Sequence, residues 1–199
     1  MSTPLPSRSD RGALILAIVL GIGVVGYTLF EAVIRSILIL GNTNVPVVAA
    51  FDDMASLAVL PDGGSLDVVA SQAIVSASGM DPVTVTSLLL AEIISALAVS
   101  ITVVCTCLVL RNIIRGEAFG RANVVLVGTA TFAVAGGWVL NWLFTTMGAN
   151  GALAALGAPT ANVPFPVEPV TVFAIAALGG LSTAFVIGHR LQNETEGLV

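Results

Sequence analysis

The sequence predicts an all-α membrane protein: a bundle of four transmembrane helices, both termini cytoplasmic, with a small extracytoplasmic cap, read as β, between helices 1 and 2. Three observations predict it. First, 56% of the 199 residues are hydrophobic and 10% charged, with a mean hydropathy of +1.02. A soluble domain carries about 25% charged residues and about 45–50% apolar ones, so one soluble core of this size cannot hide the surplus. Second, four separate apolar runs each reach the ~20 residues that cross about 30 Å of hydrocarbon. Third, every one of the 7 bases is Arg, and almost all lie on one side of those runs.

Residues 1–12 are polar, contain Pro4 and Pro6, and read as a disordered cytoplasmic arm. The first span covers about 13–40. Arg8 and Arg11 ahead of it resemble a signal's basic region, but the run is too long and no small-x-small cleavage site follows closely, so it reads as a retained helix. The outer loop 41–83 is too long for plain coil in a compact domain. Within it Val45–Phe51, Ser65–Ala70 and Ala73–Ser78 read as short β segments, and Pro61, Asp62, Gly63 and Gly64 as a turn. The second span covers about 84–110, the inner loop 111–121 and the third span 122–147. The outer loop 148–168, rich in Gly, Ala and Pro, reads as irregular. The fourth span covers 169–188, and residues 191–199 form a cytoplasmic tail.

Orientation follows from the arginines. Arg8 and Arg11 precede span one, Arg111, Arg115 and Arg121 fill the inner loop, and Arg190 follows span four. The two outer loops contain no base and carry Asp52, Asp53, Asp62, Asp67 and Asp81. The positive-inside rule therefore places both termini and the inner loop in the cytoplasm, with only Arg35 at the outer end of a span.

Composition also narrows the chemistry. The net charge of -5 and the absence of a basic stripe argue against direct nucleic-acid binding. Cys105 and Cys107 face different directions on a helix and read as small buried hydrophobes. Gly21-Ile-Gly-Val-Val-Gly26 matches a dinucleotide-binding pattern, but it lies inside an apolar span without the strand and phosphate-facing helix end that chemistry requires. It reads instead as a helix-packing face, as do Gly136, Gly137, Gly179 and Gly180. Asn193-Glu-Thr195 matches a glycosylation sequon yet falls in the cytoplasmic tail. His189 is the only histidine and identifies no partner, so no catalytic, cofactor or metal set is expected.

Polar residues inside the spans are more informative. About 20 residues from Arg11, Arg111, Arg121 and Arg190 bring each helix across the hydrocarbon. The landing points are Glu31, Glu92, Asn141 and Glu168, one per span, at a common outer level that Trp138 and Trp142 share. This level reads either as the boundary of the membrane or as a packed polar layer. In the layer, Arg35, one turn beyond Glu31, neutralises Glu31 and Glu92. Glu92 is the candidate for true burial, where a carboxylate needs a partner.

The inner connection reads Leu110-Arg-Asn-Ile-Ile-Arg-Gly-Glu-Ala-Phe119, followed by Arg121 and Asn123. The tail reads Gly188-His-Arg-Leu-Gln-Asn-Glu-Thr-Glu-Gly-Leu-Val199. Over about residues 12–199 these features resemble the bacterial membrane family catalogued as domain of unknown function 2975. That family has a similar Arg-x-x-x-Gly-Glu-x-Phe connection and, in actinobacterial members, a similar Leu-Gln-x-Glu-x-Glu-Gly-Leu-Val ending. One departure is Ala118, where similar members often carry Pro. The resemblance implies four spans, no established activity, and for some members a companion helix-turn-helix regulator. In physical terms, Gly116 can end the helix with positive φ, and Phe119 can tuck back to the bundle. Arg111, Arg115, Glu117, Phe119 and Arg121, with Glu194 and Glu196 folding onto the arginines, form a candidate docking surface; its bland reading is mutual neutralisation of surface charge.

Two function classes stay open. One is a non-enzymatic interaction, regulatory or accessory subunit. The alternative is a small transporter or channel subunit using Glu92 and Arg35, which needs a continuous polar path that one polar level does not supply. An enzyme acting on lipids is a distant third. The glycines permit self-association without requiring it.

Overall fold

The computed structural model describes residues 7–58, 67–117, 119–157 and 169–196. In chain order these form α1 (Arg8–Gly41), β1 (Val45–Ala58), β2 (Asp67–Ala77), α2 (Pro82–Ile114), α3 (Arg121–Ala155) and α4 (Pro169–Glu196). All four helices are long and apolar enough to cross a membrane. Val and Ile disfavour helix in water, yet these segments are rich in both. A chain within lipid must satisfy every backbone polar group internally, and the helix does so whatever the side chains.

The helix ends explain where the elements depart from the apolar runs. α1 starts at Arg8, ahead of residue 13. Ser7 caps it, accepting a bond from the Asp10 N–H at 3.2 Å while its own N–H donates to Asp10 Oδ2 at 3.0 Å. This is a reciprocal capping box, and only residues 1–6 of the expected arm lie outside the described residues. α2 starts at Pro82, whose missing N–H is harmless at a first helical position. Asp81 caps it by accepting from the Val83 N–H at 3.2 Å and from the Thr84 hydroxyl. α2 ends in a double turn: Gly116, at φ 86°, donates to the Ile113 carbonyl and Glu117 to that of Asn112, both at 3.0 Å. The left-handed position is one that glycine fills without strain. α4 continues as a helix through Glu196, past the tail boundary at 191.

The chain divides into two compact units. One comprises Val33–Ile94 and Leu140–Pro166. Its core brings Ile39, Val45, Val47, Ala77, Met80, Leu88, Ala149 and Ala152 together. The two strands form an antiparallel hairpin in which Val45 pairs with Ala77 and Ala58 with Asp67. Alternation is visible at its root, where Val45, Val47 and Ala49 are buried and Pro46 and Val48 exposed, as a strand with one covered face requires. The three expected β segments are thus two. The second and third are one continuous strand, and the first runs on to Ala58 across an irregularity between Ala50 and Ala55. The expected turn at 61–64 lies outside the described residues.

In the same unit α3 continues to Ala155, so residues 148–155 are helical where an irregular loop was expected. The physical reason is packing. A Cβ on Gly148 would strike the Leu88 side chain, and one on Gly151 would overlap that of Thr84. Close approach of α2 and α3 needs hydrogen atoms there, and that gain outweighs the ~1 kcal/mol helix penalty of glycine.

The second unit comprises Met1–Ala32, Ser95–Val139 and Val167–Val199. Half-buried positions Leu14, Ile18, Gly21, Val25 and Thr28 make a narrow stripe on α1, and Ile175, Leu178, Ser182 and Phe185 another on α4. Spacings of three and four are those of a helix packed along one seam. Only some of the expected packing glycines take part. A Cβ on Gly21 would lie 2.6 Å from the Cys107 sulfur, and one on Gly137 would strike Ala98. Gly23, Gly26, Gly136, Gly179 and Gly180 face open space, on faces that spacing alone could not assign.

Candidate functional site

Two groups of polar side chains stand out. In the unit containing the hairpin, Arg35 of α1 donates from Nη1 to Glu92 Oε1 of α2 at 3.2 Å, and the two side chains are 57% and 26% exposed. One residue earlier on α2, the Ala91 carbonyl accepts from Asn141 Nδ2 of α3 at 3.0 Å. Three of the five residues of the anticipated outer level therefore converge on positions 91–92. Glu31 is half-buried on α1, and Glu168 lies outside the described residues. An Arg this exposed holds its carboxylate partner weakly in water.

The second group is the α2–α3 connection. Asn123, fully buried at the first turn of α3, accepts from Asn112 Nδ2 at 2.7 Å and donates from its own Nδ2 to the Glu117 carbonyl at 2.8 Å. One amide thus joins the end of α2, the turn and the start of α3, and satisfies a backbone carbonyl that the turn would otherwise strand. Phe119 folds back onto α4: its ring centroid is 5.8 Å from that of Phe185, and a Cβ on Gly188 would sit 2.5 Å from it. Arg115, Glu117 and Arg121 are left exposed on this pinned turn. Arg111 stands apart from them, at the end of a groove between α1 and α2. Glu194 is exposed on the last turns of α4; the Glu196 side chain and Ala118 lie outside the described residues. No family model, curated protein or solved structure matches the chain.

Six of the hydroxyls inside the spans are turned inward on their own helices. Thr86 donates to the Pro82 carbonyl, Ser87 to Val83, Thr102 to Ala98, Thr106 to Thr102, Thr131 to Val127 and Thr183 to Gly179, at 2.7–3.0 Å. Each hydroxyl proton is spent on a carbonyl one turn back. Among the described residues no group of three His, Cys, Asp or Glu could hold a metal ion.

The sequence had indicated Asn123 only as part of a motif and did not indicate Asn42. Asn42 Nδ2 donates to the Met80 carbonyl and Met80 N–H to Asn42 Oδ1, each at 2.9 Å, from a left-handed backbone at φ 47°. The run Gly41-Asn42-Thr43-Asn44 carried the signal, since Asn is among the few residues that adopt this conformation readily.

Proposed function

We propose that this chain is a non-enzymatic regulatory or accessory subunit of the bacterial cytoplasmic membrane, whose α2–α3 connection docks a protein partner. The four candidate spans support the membrane setting. The placement of arginines supports a cytoplasmic connection with both termini on the same side. The observation that carries the docking role is the pinned turn. Asn123 and Phe119 hold the connection from two sides, so Arg115, Glu117 and Arg121 are presented on backbone whose ordering entropy is already spent. Such preorganisation favours recognition. Resemblance to domain of unknown function 2975 suggests a helix-turn-helix regulator as partner, with nucleic acid reached through that partner and not by this chain.

The test is affinity purification of the full chain in mild detergent. A stoichiometric partner should be recovered, lost on joint Arg115→Glu and Arg121→Glu exchange, and kept on Thr43→Ala in the loop read as extracytoplasmic. Recovery that ignores the charge reversal would sink the docking role. A second reading, a transporter or channel subunit, draws on the Arg35–Glu92 pair. It predicts ion flux in liposomes that Glu92→Gln abolishes. The self-bonded hydroxyls weigh against it, because they offer a passing ion no continuous polar lining.

A further inference from the structure

A groove of about 310 Å³ runs between α1 and α2, at the lower end of the ~300–1,000 Å³ typical of ligand sites. Ile18, Ile22 and Val25 of α1 and Val104 and Leu108 of α2 line it, with Arg111 at one end as its sole charged lining residue. The positions fall at i, i+4 and i+7 on each helix, so each presents one face along about 10 Å of axis. The floor is closed where the Cys107 thiol reaches the Ile18 carbonyl at 3.9 Å. The mouth is open, with Ile22 66% and Val104 47% exposed.

Arg11 lies toward the same end. The helices run antiparallel past the Ile18–Cys107 contact, so moving four residues on along α2 to Arg111 and seven back along α1 to Arg11 leads in one direction. Arg11 Nε is buried without a hydrogen-bond partner in the structure. Arg111 therefore stands at the end of an apolar slot on helices that can cross a membrane, and Arg11 lies farther along α1 in the same direction.

We infer that this groove binds an anionic phospholipid of the surrounding bilayer, one acyl chain lying along the slot and the headgroup phosphate held by Arg111. The slot offers no polar atom to any other part of a ligand, which suits a hydrocarbon chain. Guanidinium pairs with phosphate through two parallel hydrogen bonds. The positive charge of Arg111 at the headgroup, with Arg11 farther along in the same direction, favours a lipid of net negative charge over a zwitterionic one. A second groove of about 300 Å³, beside Val109, Leu126 and Phe185, is lined without any charged group and serves as an internal control with no headgroup preference.

The inference rests on the reading that the helices cross a membrane, and the test separates the two. Alkaline carbonate extraction of membranes from expressing cells should leave the full chain in the membrane fraction; release would overturn both. The detergent-purified protein is then offered phosphatidylglycerol and phosphatidylcholine of matched chains, and bound lipid is counted by native mass spectrometry. Retention should favour phosphatidylglycerol by about fivefold or more, the factor expected from ~1 kcal/mol per arginine near a lipid surface. Arg111→Gln should reduce that preference sharply and Arg111→Lys should keep most of it. Val104→Trp, which fills the slot from an exposed position, should lower retention of both lipids. Equal retention of the two lipids by the unaltered protein, or a preference that survives Arg111→Gln, overturns the site.

Discussion

At Gly151 a single methyl group would collide with the Thr84 side chain, and at Gly23 it would meet nothing. Gly151→Ala should therefore destabilise by about 1–3 kcal/mol, the usual cost of overpacking. Gly23→Ala should be neutral or stabilising by up to ~1 kcal/mol through helix propensity alone. Thermal melts in detergent read the difference, and similar midpoints for the two variants would refute the packing role of Gly151. Arg35 and Glu92 call for a double-mutant cycle with Arg35→Ala and Glu92→Gln. With Arg35 57% exposed, the coupling should be below about 1 kcal/mol. A larger value would mean that lipid or a partner shields the pair. These residues were legible to different degrees. Counting about one bilayer of residues from the arginines singled out Glu92 and Asn141. It could not reveal that Asn141 bonds a backbone carbonyl, because the rotation of one helix about its axis is set by packing and not by hydropathy.

Among the elements, the start of α2 has a pH signature. The Thr84 hydroxyl bond, aided by backbone bonds from this first turn, holds the Asp81 carboxyl below its ordinary pKa, more than desolvation raises it. A carboxylate depressed in the folded state adds stability that is fully present above its unfolded pKa and disappears as pH falls through the folded value. Melting temperature should therefore drop in the acid range below the ordinary aspartate pKa, and Asp81→Asn should flatten that part of the profile. An unchanged acid limb in the variant would refute the assignment. On the α2–α3 connection, Asn123→Ala should cost about 1–3 kcal/mol, since it strands the Asn112 amide and the Glu117 carbonyl. The long helices were legible because their apolar runs are unmistakable. Their ends were less so: Ser7 and Asp81 act through local side-chain bonds, and Gly148 and Gly151 look like loop residues until α2 is seen against them. Two strands could be told from three only by pairing, which a two-residue period does not encode.

For the molecule as a whole, orientation is the property that most depends on charge. On a Cys105→Ala, Cys107→Ala background, Thr43→Cys should react with a membrane-impermeant maleimide on intact cells. Glu117→Cys should react only after permeabilisation, and the reverse pattern would invert the topology. Helices of 33–35 residues for α1, α2 and α3 exceed the ~20 that hydrocarbon requires, so each extends beyond the bilayer core. Hydropathy foretold the spans but not these extensions, whose amphiphilic ends resemble ordinary loop sequence. The hairpin grows from such an extension, and its root has a consequence for how the protein can vary. Asn42 bonds both backbone groups of Met80, and Gly79 N–H reaches the Asn42 carbonyl at 3.1 Å. Departure and return of the chain are thus fastened side by side, so whatever is strung between them is a graft on a finished stock. Doubling such a loop costs only about 0.6 kcal/mol in closure entropy. Descendants of this protein can lengthen, shorten or exchange the distal ribbon while the buried Val45, Val47 and Ala77 keep the join intact.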